Sequence, residues 1–238
     1  MRRGLILFAA GVMAVAGDNS ARVPVVLELF TSEGCSSCPP AEALLEQIDR
    51  KQPVAGVYAI VMAEHVDYWD NLGWRDPYAS QFFTFRQAQY GRLFRLDTVY
   101  TPQMVVDGTA QMTGVDVDGI VAAMRKSAAK PAIPVNLVLR PDGVAVDIPP
   151  APEKEAVFLA IADDSVTTKV LRGENAGHEL HHVAVVRGIR NIGGVSPAAR
   201  FSRTVPLEAH GNQRIIVFLQ DTTPGRIAGA AMVHDNAR

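Results

Sequence analysis

Cysteine is nearly absent: two residues in a chain of 238. No network of disulfides can therefore hold the fold together, and any role for cysteine rests on one pair. Surplus charge is absent as well, since 23 Lys and Arg stand against 25 Asp and Glu for a net charge of −2. Such a balance leaves no electrostatic footprint for nucleic acid, and no polybasic run marks a membrane-surface segment. Internal repeats and low-complexity tracts are also lacking, while the apolar content is ample for a core.

Long apolar runs are missing except near the start. "MRRGLILFAAGVMAVAG" places Arg2 and Arg3 before an apolar stretch from Gly4 to Ala16 that closes on Ala14-Val15-Ala16. A basic start, a short apolar segment and an A-x-A end predict a secretory signal peptide over residues 1–16. As a helix the apolar stretch spans roughly 20 Å, too short for a stable membrane crossing. No cysteine lies near the cleavage point to carry a lipid. The expectation is a mature chain starting near Gly17, periplasmic or secreted, without a stable membrane anchor after cleavage. In that oxidising space cysteines are normally paired.

"VPVVLELF" (Val23–Phe30) and "GVYAIVMAEHV" (Gly56–Val66) have the continuous apolar profile of buried strands. Between them "AEALLEQIDR" puts Leu44, Leu45 and Ile48 on one helical face. Strand, helix, strand of this kind predicts a parallel βαβ unit. A helix is expected from Ala79 to Phe94. A hairpin is expected over Gln103–Met112 with its turn at Asp107-Gly108, then a helix over Asp116–Lys130. Beyond Pro134 the texture changes to short β-type runs: "VNLVLRPDGVAVDI", "AVFLAIAD", "HHVAVVRGI", "FSRTVPL", "RIIVFLQD" and "IAGAAMVH". The pattern predicts an α/β domain over residues 22–130 and an antiparallel β-sandwich over residues 134–235.

"FTSEGCSSCPPAEALLEQI" (Phe30–Ile48) contains both cysteines, Cys35 and Cys38, where the first helix begins. Pro39 and Pro40 fit the first turn of a helix, where a missing N–H has no intrahelical acceptor. Two intervening residues wound into a turn bring two sulfurs within bonding reach. Cys35, at the exposed helix end, is expected to have its thiolate stabilised by unpaired N–H groups, with Cys38 shielded as the resolving thiol. A purely structural clip is the rival, although so small a loop removes little unfolded-state entropy. A third reading is Cu(I) held by the two soft thiolates, with His65 or a histidine of the second domain as third ligand.

The element order resembles thioredoxin: strand, C-x-x-C at a helix start, strand, helix, Thr-Pro, hairpin, helix. That resemblance implies a cis proline at Pro102, preceded by Thr101, facing the cysteines and aligning substrate backbone. It also draws attention to Glu28, because thioredoxins carry a buried acid in this strand. The offset here differs by one residue, which turns the side chain to the opposite face. Together "FTSEGCSSCPP", "HVDYWDNLGW" and "YTPQMVVDG" resemble an exported bacterial family with a thioredoxin-like domain, catalogued as domain of unknown function 1223. "RGENAG" and "HHVAVVR" extend the resemblance into the second domain. The family implies a fold and no established reaction.

"EHVDYWDNLGWRDPY" (Glu64–Tyr78) holds both tryptophans, Trp69 and Trp74, and leaves the sheet at the edge where Cys35 is expected. It is a candidate substrate surface with Thr101, set against the plainer reading of tryptophans capping the core. His65, Asp67 and Glu28 are candidate proton carriers in thiol exchange. "HELHH" (His178–His182) spells the H-E-x-x-H of zinc proteases, but that chemistry needs a helix and the context here is a strand. In a strand, residues four apart are roughly 13 Å apart, too far for one zinc ion. The leading expectation is thus a thiol–disulfide oxidoreductase acting on protein or small thiol substrates, with no metal and no cofactor. A copper carrier and a non-catalytic interaction protein are the alternatives.

Overall fold

A computed structural model describes residues 22–207, 211–221 and 225–235. The expected signal peptide lies outside the described residues. In chain order the elements are β1 (Val23–Thr31), α1 (Pro39–Lys51), β2 (Val57–His65), α2 (Gln81–Leu93), β3 (Gln103–Val106), β4 (Ala110–Thr113) and α3 (Val117–Ala128). There follow β5 (Asn136–Arg140), β6 (Gly143–Ile148), β7 (Glu155–Lys169), β8 (Glu179–Val195), β9 (Phe201–Val205), β10 (Gln213–Gln220) and β11 (Ile227–Asp235). They build an α/β protein with a mixed eight-stranded sheet, ordered β11-β10-β7-β8-β2-β1-β3-β4, and an antiparallel three-stranded sheet, β5-β6-β9. Among the described residues no helix is long and apolar enough to cross a membrane.

The helices begin where local chemistry allows. Pro39 and Pro40 open α1 directly after Cys38. The Ser80 side chain accepts from Phe82 N–H at the start of α2, and Asp116 accepts from Gly119 N–H at the start of α3. Each cap satisfies a backbone donor that has no partner within the helix. The β3–β4 turn has Asp107 and Gly108 at φ 51° and 64°. A side chain at 108 would meet the Gly225 carbonyl oxygen at 1.8 Å, so only glycine fits.

Alternation along β1 and β2 separates two cores. Val25, Leu27 and Leu29 of β1, with Ala59, Val61 and Ala63 of β2, pack under α1 and α3. Val26 and Phe30, with Ile60 and Met62, face the other way against Phe83 and Tyr90 of α2. That second face is also covered by Ala160, Ala162, Ile216 and Phe218 of β7 and β10, so the large sheet curls back over itself. The reverse side of β7 and β10 packs beneath Val144 and Val146 of β6 and Phe201 and Val205 of β9.

Hydrogen bonding of the large sheet runs across the division drawn near residues 130–134. β8 lies parallel to β2, with Ala63 opposite Val185, and β7, β10 and β11 follow outward by antiparallel pairing. The physical reason is the outer edge of β2. Its side chains are buried on both faces, so unpaired peptide groups along that edge would be costly.

Candidate functional site around the Cys35–Cys38 disulfide

Cys35 and Cys38 form a disulfide, with their Cα atoms 5.4 Å apart. Cys38 is the residue before α1, and its carbonyl accepts from the N–H groups of Ala41 and Glu42. Cys35 lies in the preceding turn, whose N–H bonds back to the Ser32 carbonyl. Both cysteines are fully buried, while Ser36 and Ser37 are exposed. The expectation of an exposed Cys35 is therefore corrected. The cover comes from the loop before β8: Asn175 Nδ2 donates to the carbonyls of Glu33 (2.9 Å) and Cys35 (3.1 Å). Beside it, the Glu174 carboxylate accepts from Ser36 N–H at 3.1 Å. The second half of the chain, which carries no catalytic constellation by sequence, is thus part of this site.

The Thr101–Pro102 bond is cis. Trp69 connects this segment to the cysteine turn: its Nε1 donates to Thr101 Oγ1 at 2.9 Å, and its Cβ presses against Gly34. Trp74 Nε1 donates to Glu33 Oε2 at 2.7 Å. Both tryptophans are partly exposed, with Tyr68 and Leu72 more open beside them. Asp67 is drawn away to α2, where its carboxylate accepts from Thr84 Oγ1 at 2.5 Å.

Behind the cysteine turn lies a buried cluster of three carboxylates and two imidazoles. His65, the last residue of β2, has Nδ1 at 2.7 Å from Asp76 Oδ2. His182 of β8 has Nε2 at 3.1 Å from Glu33 Oε1, and its Nδ1 lies 2.6 Å from Glu42 Oε2 without the alignment of a hydrogen bond. The other Glu42 oxygen accepts from Thr31 Oγ1 at 2.5 Å. The two rings meet edge to face with centroids 5.0 Å apart. His65 Nε2 has no hydrogen-bond partner either. Burial alone would lower the pKa of His182, but the hydrogen bond to Glu33 and the contact with Glu42 outweigh it and push the ring up to about 10. Burial acts to raise Glu42, yet His182 holds it below the usual carboxylate range. His65 does the same for Asp76.

Glu28 is on the opposite face of β1, in a second buried cluster. Arg86 Nε donates to Glu28 Oε1 at 2.6 Å, and Tyr90 donates to Glu28 Oε2 at 2.6 Å. Gln220 joins through Arg86 Nη2 at 3.0 Å. Glu64 lies 3.6 Å from Arg86 Nε. Burial, then the neighbouring Glu28 charge, raises Glu64 well above the ordinary range and favours its neutral form.

Of the residues singled out by sequence, Cys35, Cys38, His65, Trp69, Trp74, Thr101 and Pro102 belong to the one neighbourhood; Glu28 and Asp67 do not. Glu33, Glu42, Asp76, Asn175 and His182 complete it. His178, just before β8, and His181 are exposed, while His182 turns inward, since strand alternation puts it on the face opposite His181.

Fold and site define an α/β protein with a buried disulfide set against a histidine–carboxylate cluster. Residues 26–220 match the family described as protein of unknown function (DUF1223), and the chain belongs to that family. Among solved structures it is similar to protein AGR_C_4864 from Agrobacterium tumefaciens. The two are 28% identical, with a TM-score of 0.77, over 91% of this chain and 96% of that one. It is also similar in fold to HBP35 of Porphyromonas gingivalis, with a TM-score of 0.58 at 15% identity, over 92% of this chain and 77% of that one. No curated protein matches it.

Proposed function

We propose that the protein is an exported thiol–disulfide oxidoreductase whose Cys35–Cys38 disulfide is the redox group. The observation that carries this reading is the placement of a two-residue-gap disulfide at the start of α1, connected through Trp69 to the cis Thr101–Pro102 segment. The β2-β1-β3-β4 order, with α1 crossing between β1 and β2, supports a thioredoxin-like core in residues 22–130. The packing of β6 and β9 over β7 and β10 supports a two-layer β unit after residue 134 that serves as its cover.

In the forward direction a substrate thiolate attacks Cys35 Sγ. The protein S–S bond breaks, a mixed disulfide forms, and Cys38 leaves as a thiolate. A second substrate thiol then displaces Cys35, so the substrate is oxidised by two electrons and both cysteines are reduced. The reverse sequence reduces a substrate disulfide, with Cys35 attacking and Cys38 resolving. Trp69, Trp74 and Thr101 border the approach, and the Gly173–Gly177 segment must lift from Cys35 to admit substrate.

Equilibration against glutathione buffers tests the reading. A redox pair titrates between about −120 and −270 mV, whereas a purely structural disulfide falls below about −300 mV and stays oxidised throughout. A pair that glutathione cannot reduce would end the oxidoreductase reading.

A further inference from the structure

We propose that His65 Nε2, His182 Nδ1 and the Glu42 carboxylate hold one divalent first-row transition-metal ion, with zinc the best match to the donor set. One ligand atom from each of the three residues lies within 4.8 Å of the other two, and all three residues are buried. Two imidazoles and a carboxylate are an established donor set for this class of ion. A tetrahedral zinc ion with ligands at about 2.0–2.1 Å keeps its ligand atoms roughly 3.4 Å apart. The His182–Glu42 contact of 2.6 Å would therefore open slightly while His65 draws in.

Two independent observations point to a cation. First, His65 Nε2 has no hydrogen-bond partner and His182 Nδ1 meets only the Glu42 carboxylate, out of hydrogen-bond alignment, although both side chains are at most 1% exposed. A buried polar atom without a partner, as His65 Nε2 is, is costly, and this one belongs to a side chain that comes together with His182 and the Glu42 carboxylate. Second, the far nitrogen of each ring is already held by a carboxylate: His65 Nδ1 by Asp76 and His182 Nε2 by Glu33. Once the rings are neutral, those contacts keep each ring proton on the far nitrogen and leave the lone pair of the near one free. Carboxylates behind metal-binding histidines act in this way, orienting the ring and raising its basicity. The remaining Glu42 oxygen is likewise fixed by Thr31.

The charge count agrees. Three buried carboxylates, Glu33, Glu42 and Asp76, face two imidazoles. One dication bound to two neutral rings leaves the same net charge as two protonated rings, so any proton on an inward nitrogen departs to solvent as the ion enters. The ion would join α1, β2 and β8, fastening the two halves of the chain where β2 meets β8. No sulfur takes part, so the site stands apart from the redox reading.

The test is a zinc chloride titration of the chelator-treated, oxidised full chain, in competition with a chromophoric chelator. In oxidised protein the disulfide keeps both sulfurs out of coordination. The expected result is one zinc per chain. His65→Ala and His182→Ala should each weaken binding at least 100-fold, and Asp76→Asn about 10- to 100-fold. Exposed His181→Ala should change nothing. Cobalt(II) bound to the unaltered protein should give the strong visible bands of a tetrahedral site without a sulfur charge-transfer band, a readout that needs no variant to fold. The Cys35→Ser/Cys38→Ser double variant should keep its zinc affinity even where all thiol exchange is lost. Zinc binding no tighter than in a His65→Ala/His182→Ala variant, stoichiometric binding that survives those substitutions, or a weak octahedral cobalt spectrum would each overturn the site.

Discussion

On the α2 face of the large sheet, Arg86 lies between Glu28 and Glu64, with Tyr90 and Gln220 completing its contacts. The guanidinium answers one carboxylate, and burial favours the neutral form of the other. On the α1 face, Glu33, Glu42 and Asp76 surround His65 and His182; His65 Nε2 has no partner, and His182 Nδ1 meets only the Glu42 carboxylate. Both clusters are buried and both are built by residues distant in sequence. The first is closed by a permanent cation and stabilises the fold. The second is closed only by an exchangeable one, a proton or a metal ion, and it lies behind the disulfide. A buried ionic cluster is thus read by what completes it, since burial alone does not separate scaffold from site.

The largest effect that tests this contrast is on the Arg86 cluster. Arg86→Met removes the cation and leaves Glu28 buried beside Glu64, which should cost about 3–5 kcal/mol of stability. Urea unfolding measures it, and zinc should not restore the loss. A change within about 0.5 kcal/mol would mean that the closed cluster is not the scaffold described.

A second test uses a buried acid in which burial outweighs the attraction of Arg226 and Lys130. Asp107 accepts from Val26 N–H at 3.3 Å, and burial raises it from 3.8 to about 6. Its folded pKa exceeds its unfolded one, so its contribution is fully present below about pH 4 and is lost as pH rises through 6. Between those limits the protein should lose roughly 2–3 kcal/mol from this group. Asp107→Asn keeps the acceptor and tolerates the positive φ, so it should remove that part of the pH dependence. Urea midpoints of both proteins from pH 4 to 7 give the comparison, and parallel curves would refute it.

The loop over the disulfide offers a smaller effect. Asn175→Ala removes the two hydrogen bonds to the Glu33 and Cys35 carbonyls. At about 1 kcal/mol net for each, reduction by a small thiol should accelerate roughly tenfold or more. An unchanged rate would mean that this loop does not control access.

Most of the architecture was legible because each element carries its own signal. Continuous apolar runs marked β1 and β2, the Pro39-Pro40 pair marked the start of α1, and Asp107-Gly108 marked a hairpin. The joint between β2 and β8 was not legible, since pairing Ala63 with Val185 depends on an unsatisfied strand edge rather than on either local pattern. The site was legible in part for the same reason. Cys35 and Cys38 announce themselves by spacing, whereas Glu42 reads as an ordinary polar residue in a first helical turn. His182 sat within a motif whose strand context rightly removed the protease reading. That same alternation turned His182 inward, but its partner Glu33 is 149 residues away. Asn175 gave no sign at all of reaching Cys35, because loop contacts of that range have no sequence period.

The most direct test of the redox claim compares the two single cysteine variants by alkylation rate across pH and by capture of disulfide substrates. Cys38→Ser should leave a reactive Cys35 with an apparent pKa below about 8.5 that accumulates mixed disulfides. Cys35→Ser should leave a slow Cys38 that captures almost nothing. Two equally slow, unperturbed thiols would contradict the assignment and make Cys35–Cys38 a structural clip.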